Sequence, residues 1–146
     1  LEPVSQPVYE YKTLMFQNYG AGIQACYRGP RLYDTEETKK TVVEVINWYK
    51  KYRNILNSDI IHLRKPDAHD WDGIMHANPA EKEKGLAMFF NPTDKEIIRR
   101  IRLPLYYTGL TKTAQIREQE GTPTTHTLQR DYSVELTVRI PAGVYT

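Results

Sequence analysis

Cys26 is the only cysteine in the 146 residues, so an intrachain disulfide, a multi-cysteine zinc site and a CxxC redox pair are all excluded. Stability must then come from packing. Long apolar runs are also missing: no stretch nears the roughly 18 residues that a spanning helix requires, charged residues make up 26%, and mean hydropathy is −0.63. A membrane-spanning chain is therefore not expected. Charge of one sign is scarce too, with 20 Lys and Arg against 18 Asp and Glu and a net charge of +2. Nucleic acid and anionic membranes are normally met by a concentrated basic patch, so neither is expected as a partner. What remains is 40% hydrophobic and 11% aromatic, enough for one domain with a real core.

Prolines and glycines punctuate the first 34 residues at Pro3, Pro7, Gly20, Gly22, Gly29 and Pro30, with six aromatics between them. This mixture predicts an ordered, loop-rich segment packed on something else. From Asp34 the pattern changes. Asp34 with Glu37 has the spacing of a capping box, and Val42, Val45, Ile46, Tyr49, Tyr52 and Leu56 recur at helical spacing. Glu36 and Glu37 stand in the first turn, and Lys50, Lys51 and Arg53 near the end, each sign where the helix dipole favours it. One long α-helix is predicted over about Glu36 to Leu56.

Beyond Asn57 short strand-like runs follow at Asp59 to Arg64, Gly73 to Ala77, Leu86 to Phe90, Gln115 to Gln119, Thr125 to Gln129 and Val134 to Ile140. The last alternates strictly: Val134, Leu136, Val138 and Ile140 point one way, with Glu135, Thr137 and Arg139 opposite. Turn residues at Lys65-Pro66-Asp67, Asn78-Pro79, Asn91-Pro92-Thr93-Asp94 and Glu120-Gly121-Thr-Pro123 separate the runs. The segment 94–104 fits either a helix on Ile97, Ile98 and Ile101 or a strand on Ile97, Arg99, Ile101 and Leu103. Its place inside an all-β run selects the strand. The expected fold class is mainly β, an antiparallel β-sandwich preceded by one long α-helix and a loop-rich N-terminal segment.

The order of Asn18-Tyr-Gly-Ala-Gly-Ile-Gln-Ala-Cys-Tyr-Arg-Gly-Pro-Arg-Leu-Tyr-Asp34, Trp48-Tyr-Lys-Lys-Tyr-Arg-Asn-Ile-Leu56, Lys84-Gly-Leu-Ala-Met-Phe-Phe-Asn-Pro92 and Leu103-Pro-Leu-Tyr-Tyr-Thr-Gly-Leu110 resembles the C-terminal region of bacterial α-galactosidase-like glycoside hydrolases. The likeness covers nearly the whole chain. It implies that residues 1–57 are the terminal part of a (β/α)8 barrel, including its last helix, and that residues 58–146 are a C-terminal antiparallel β-sandwich. A barrel of about 200 residues or more does not fit here, and the two carboxylates of a retaining mechanism would lie before Leu1. The chain alone should be catalytically inert, with the missing barrel of the same polypeptide as its partner. Leu1 in place of an initiator Met, and an end within the strand-like Ala142-Gly-Val-Tyr-Thr, read as a piece of a longer precursor, so a signal peptide would not be seen. A parent that degrades polysaccharides would work in the periplasm or outside the cell.

His62-Leu-Arg-Lys-Pro-Asp-Ala-His-Asp-Trp-Asp-Gly-Ile-Met-His76 is the chemically richest stretch. As an EF-hand loop it would place Ala68 and Pro79 at the two positions where carboxylates are essential, and His62 and His76 fall on different predicted strands. No metal and no cofactor are expected. Trp71 between Asp70 and Asp72 offers a sugar an apolar face beside hydrogen-bond acceptors; the alternative is an indole that caps the sandwich or packs on the barrel, since large aromatics usually bury. The loop from Tyr19 to Arg31 carries Gln24, Tyr27 and Arg28. At the active-site face of a barrel these would line the substrate pocket; otherwise Arg28 and Arg31 hold the loop in place. An accessory domain should expose the apolar face of Val42, Ile46 and Tyr49, through which an isolated chain could form a homodimer. A second reading is an autonomous carbohydrate-binding module in which Trp71 and the tyrosines form a stacking platform.

Overall fold

A computed structural model describes residues 8–23 and 31–146. The chain divides into two compact units, Leu1–Asn57 and Ser58–Thr146, at the point where the sequence changes from helical to strand-like spacing.

The first unit holds two helices, α1 (Val8–Gly20) and α2 (Glu36–Leu56). Finding α1 corrects the expectation of a loop-rich N-terminal segment. Pro3 and Pro7 precede the helix and Gly20 and Gly22 close it, so these residues mark its ends and leave its interior free of breakers. Tyr11 and Met15, one turn apart and fully buried, meet Val42 and Val45 of α2. Phe16 packs edge-on to Trp48 and Tyr19 against Tyr49, each pair with centroids 4.9 Å apart. The helix α2 has the predicted bounds, but its cap is Thr35, whose extended backbone lets Oγ1 accept from the Thr38 amide at 3.1 Å. Asp34 instead accepts from the Thr38 hydroxyl at 2.8 Å.

The second unit contains eight strands: β1 (Asp59–Arg64), β2 (Asp72–Ala77), β3 (Gly85–Asn91), β4 (Ile97–Pro104), β5 (Thr113–Ile116), β6 (Thr124–Thr127), β7 (Ser133–Ile140) and β8 (Gly143–Tyr145). They form an antiparallel sheet in the order β1-β2-β3-β8 and two antiparallel pairs, β4-β7 and β5-β6. Segment 94–104 is thus strand where it is regular, with Ile101 and Leu103 buried. On β7, Val134, Val138 and Ile140 are buried while Glu135, Thr137 and Arg139 are exposed, the alternation that the sequence predicts.

Inward side chains of the four-stranded sheet and of the β4-β7 pair meet in two clusters. One joins Met75 and Ala77 to Leu103, Leu105, Ala114 and Val134; the other joins Trp71 and Phe89 to Ile101, Val138 and Ile140. Gly73 is dictated by this packing, since a Cβ there would stand 2.7 Å from the Met88 carbonyl oxygen. Asn91, almost fully buried, ties the end of β3 to β7: its amide nitrogen donates to the carbonyls of Lys95 (2.7 Å) and Ile140 (3.1 Å). Among the described residues no helix is long and apolar enough to cross a membrane.

Candidate functional site

The connection from β1 to β2 carries the charged residues singled out above. Asp67 follows Pro66 and turns the chain, its Oδ1 accepting the amides of His69 and Asp70 at 2.9 Å each, while Ala68 takes a left-handed φ of 61°. Arg64, at the end of β1, reaches across this turn: Nη2 donates to Asp67 Oδ2 at 2.6 Å, Nη1 donates to the Trp71 carbonyl, and the guanidinium lies 5.9 Å from the indole. Asp70 accepts the Trp71 amide at 2.8 Å and Arg99 from β4.

These contacts set the protonation of three aspartates differently. Hydrogen bonding from Arg64, then from the His69 and Asp70 amides, holds the Asp67 carboxyl well below the usual carboxylate range. Asp70 is likewise lowered, first by Arg99 and then by the Trp71 amide. Asp72 moves the other way: burial raises it, with Arg64 opposing and Asp67 adding to the rise. The loop therefore holds two carboxylates firmly ionised and engaged, beside a third that its surroundings push towards the neutral form.

Trp71 is 9% exposed and packs edge-on against Phe89 at 5.8 Å within the core cluster. The indole is buried, so Trp71 presents no exposed stacking face. The indole enters the core because Gly73 lets β3 approach, a non-local pairing that the flanking aspartates conceal. Asp70 is drawn to Arg99 and Asp72 begins β2, so the three candidates are neighbours in sequence with three separate surroundings. Gln24, Tyr27 and Arg28 lie outside the described residues. The apolar face of α2 is also corrected: Val42 is buried, Ile46 is half-buried and Tyr49 is paired with Tyr19, so α1 occupies the face expected to be free.

His62 is exposed and His76 fully buried. Among the described residues no three His, Cys, Asp or Glu side chains converge as metal ligands. A concavity of about 280 Å³ is lined by Ile116, Glu118, Thr124, His126, Glu135 and Leu136, among others. Glu118, Thr124, His126 and Glu135 already have partners. Glu118 accepts the Tyr145 hydroxyl at 2.6 Å, His126 Nε2 shares a hydrogen bond with Thr124 at 2.8 Å, and Glu135 pairs with Arg100.

Sequence reasoning gave Arg99 no part in the site. The signal was present, since Arg99 shares the inward register of Ile97 and Ile101, where a cation needs a counter-charge. Comparison of the sequence with protein-family models and with curated proteins gives no match in either case.

Proposed function

We propose that this chain is the C-terminal, non-catalytic part of a glycoside hydrolase: residues 1–57 end its catalytic barrel, and residues 58–146 are a β-sandwich that stabilises the barrel and borders its sugar cleft. The observation that carries this reading is the inward use of the acidic loop. Trp71 is spent on the core and Asp70 on Arg99, so the richest chemical stretch fastens one layer of strands to another. Inner-face residues shared between β2 and β3 on one side and β4 and β7 on the other support the sandwich. Tyr9, Leu14 and Val43 stand exposed on the helices as apolar surface for the rest of the same polypeptide.

Isolating the polypeptide that carries this sequence from its native cells tests the reading. A protein longer by about 200 residues or more, hydrolysing aryl galactosides, is expected. A native protein of 17.1 kDa, or a longer one joined to an unrelated domain, overturns it. The runner-up, an autonomous carbohydrate-binding module, draws its support from exposed tyrosines rather than from Trp71.

A further inference from the structure

Three tyrosines gather on the surface of the second unit. Tyr106 and Tyr107 are each 63% exposed and Tyr132 is 38% exposed. The Tyr106 ring stands edge-on to both others, 5.3 Å from Tyr107 at 88° and 5.6 Å from Tyr132 at 70°.

The rings are displayed by a fixed scaffold. Tyr106–Thr108 form a single 3-10 turn whose Thr108 is buried beneath them, its hydroxyl donating to the Leu105 carbonyl at 2.6 Å. Gly109 closes the turn at φ 74°, a conformation that a side chain resists. The Leu105 amide donates to the Tyr132 carbonyl at 2.9 Å, joining this turn to the one before β7. Tyr132 itself holds a left-handed φ of 62°, where a bulky residue is rare and glycine would be at ease. A ring is kept at a position that favours glycine, and it faces solvent.

We infer that Tyr106, Tyr107 and Tyr132 form a stacking site for pyranose rings of a glycan. The chemistry fits: each phenol offers an apolar face and a hydroxyl that both donates and accepts. Charged groups border the rings, since Asp131 precedes Tyr132 and pairs with Arg102, whose Nε also donates to Ser133 Oγ at 3.1 Å. Three ring faces fall well short of the ~800 Å² that each side of a stable protein complex buries, whereas a single pyranose is covered by one ring. Rings fixed before binding lose little conformational freedom on contact, as a weak, exposed sugar site requires. The inference rests on the carbohydrate reading above but not on the presence of a barrel.

Calorimetric titration of the 146-residue chain with galactosides, glucosides and polysaccharide fragments tests it, using Tyr106→Ala, Tyr107→Ala and Tyr132→Gly. Saturable binding by the wild type, weakened about tenfold or more by Tyr106→Ala and Tyr132→Gly, is expected. All three variants should keep the wild-type near-ultraviolet circular dichroism, and Tyr132→Gly should melt no lower than wild type. Absence of binding across the panel overturns the site, as does binding that the variants leave unchanged. Sugar-insensitive self-association lost in Tyr106→Ala would make the trio a protein surface and overturn it equally. Saturable binding lost in the variants, in a protein whose native mass is 17.1 kDa, keeps the site and removes only the accessory-domain reading.

Discussion

Arg99 grips Asp70 across 29 residues of sequence, with Nε 3.1 and 3.2 Å from the two carboxylate oxygens and Nη2 3.0 Å from one of them. The pair links the β1-β2 loop to β4 at the edge of the cluster that contains Trp71. Both side chains remain partly exposed, so the pair is a modest staple. A double-mutant cycle with Asp70→Asn and Arg99→Met should give a coupling of about 0.5–1 kcal/mol that shrinks with added salt. Because Asp70 is lowered in the folded state, its contribution is present above the unfolded value of about 3.9 and is lost as pH falls through the folded one. The acid limb of the stability curve should accordingly be shallower in Asp70→Asn, as read by urea unfolding.

Trp71 behaves as a core residue. Trp71→Ala should destabilise the second unit by about 3–5 kcal/mol, measured by chemical unfolding. Trp71→Phe should cost less and leave any sugar affinity of the folded chain unchanged. A variant that unfolds normally but loses sugar binding would place the indole in a ligand site instead.

Asp72 is the aspartate whose charge the fold opposes. Burial raises its folded value, so the unfolded chain ionises first and stability falls as pH rises from the unfolded value to the folded one. At neutral pH the ionised carboxylate is a net cost. Asp72→Asn should therefore raise Tm at pH 7, with the gain fading below the unfolded value. An unchanged or lower Tm at pH 7 would show that the pull of Arg64 outweighs burial.

Tyr145 packs against the same core cluster as Trp71. Burial first, and its hydrogen bond to Glu118 second, push the phenol up to about 12. The unfolded chain loses this proton near 10, so the stabilisation is complete below that pH and drains away as pH rises to the folded value. Tyr145→Phe should remove that alkaline slope and cost about 1 kcal/mol at neutral pH. Ultraviolet titration of phenolate formation in the folded protein should lose its last-ionising tyrosine in the variant.

Local patterns carried much of the fold. The alternation on β7, the turn residues and the helical spacing of α2 are all set by neighbours in sequence, and the structure places these elements within a few residues of expectation. The strand over Ile97–Pro104 was legible only from its company, because its isoleucines satisfy both periods. The helix α1 was hidden by reading the composition of residues 1–34 as one block, although its breakers sit only at its ends. Burial of Trp71 stood as one of two readings and the role of Arg99 was hidden, because both are decided by strands that meet across long stretches of sequence. The tyrosine trio is of the same kind, since Tyr132 meets Tyr106 where β7 pairs with β4, Ser133 opposite Pro104, and the Leu105 amide bonds to the Tyr132 carbonyl.

The accessory role is tested most directly by deleting residues 58–146 from the native polypeptide that carries them and measuring its melting temperature together with aryl-galactoside hydrolysis. A lower Tm and a smaller active fraction are expected. An undiminished Tm with full activity would contradict it.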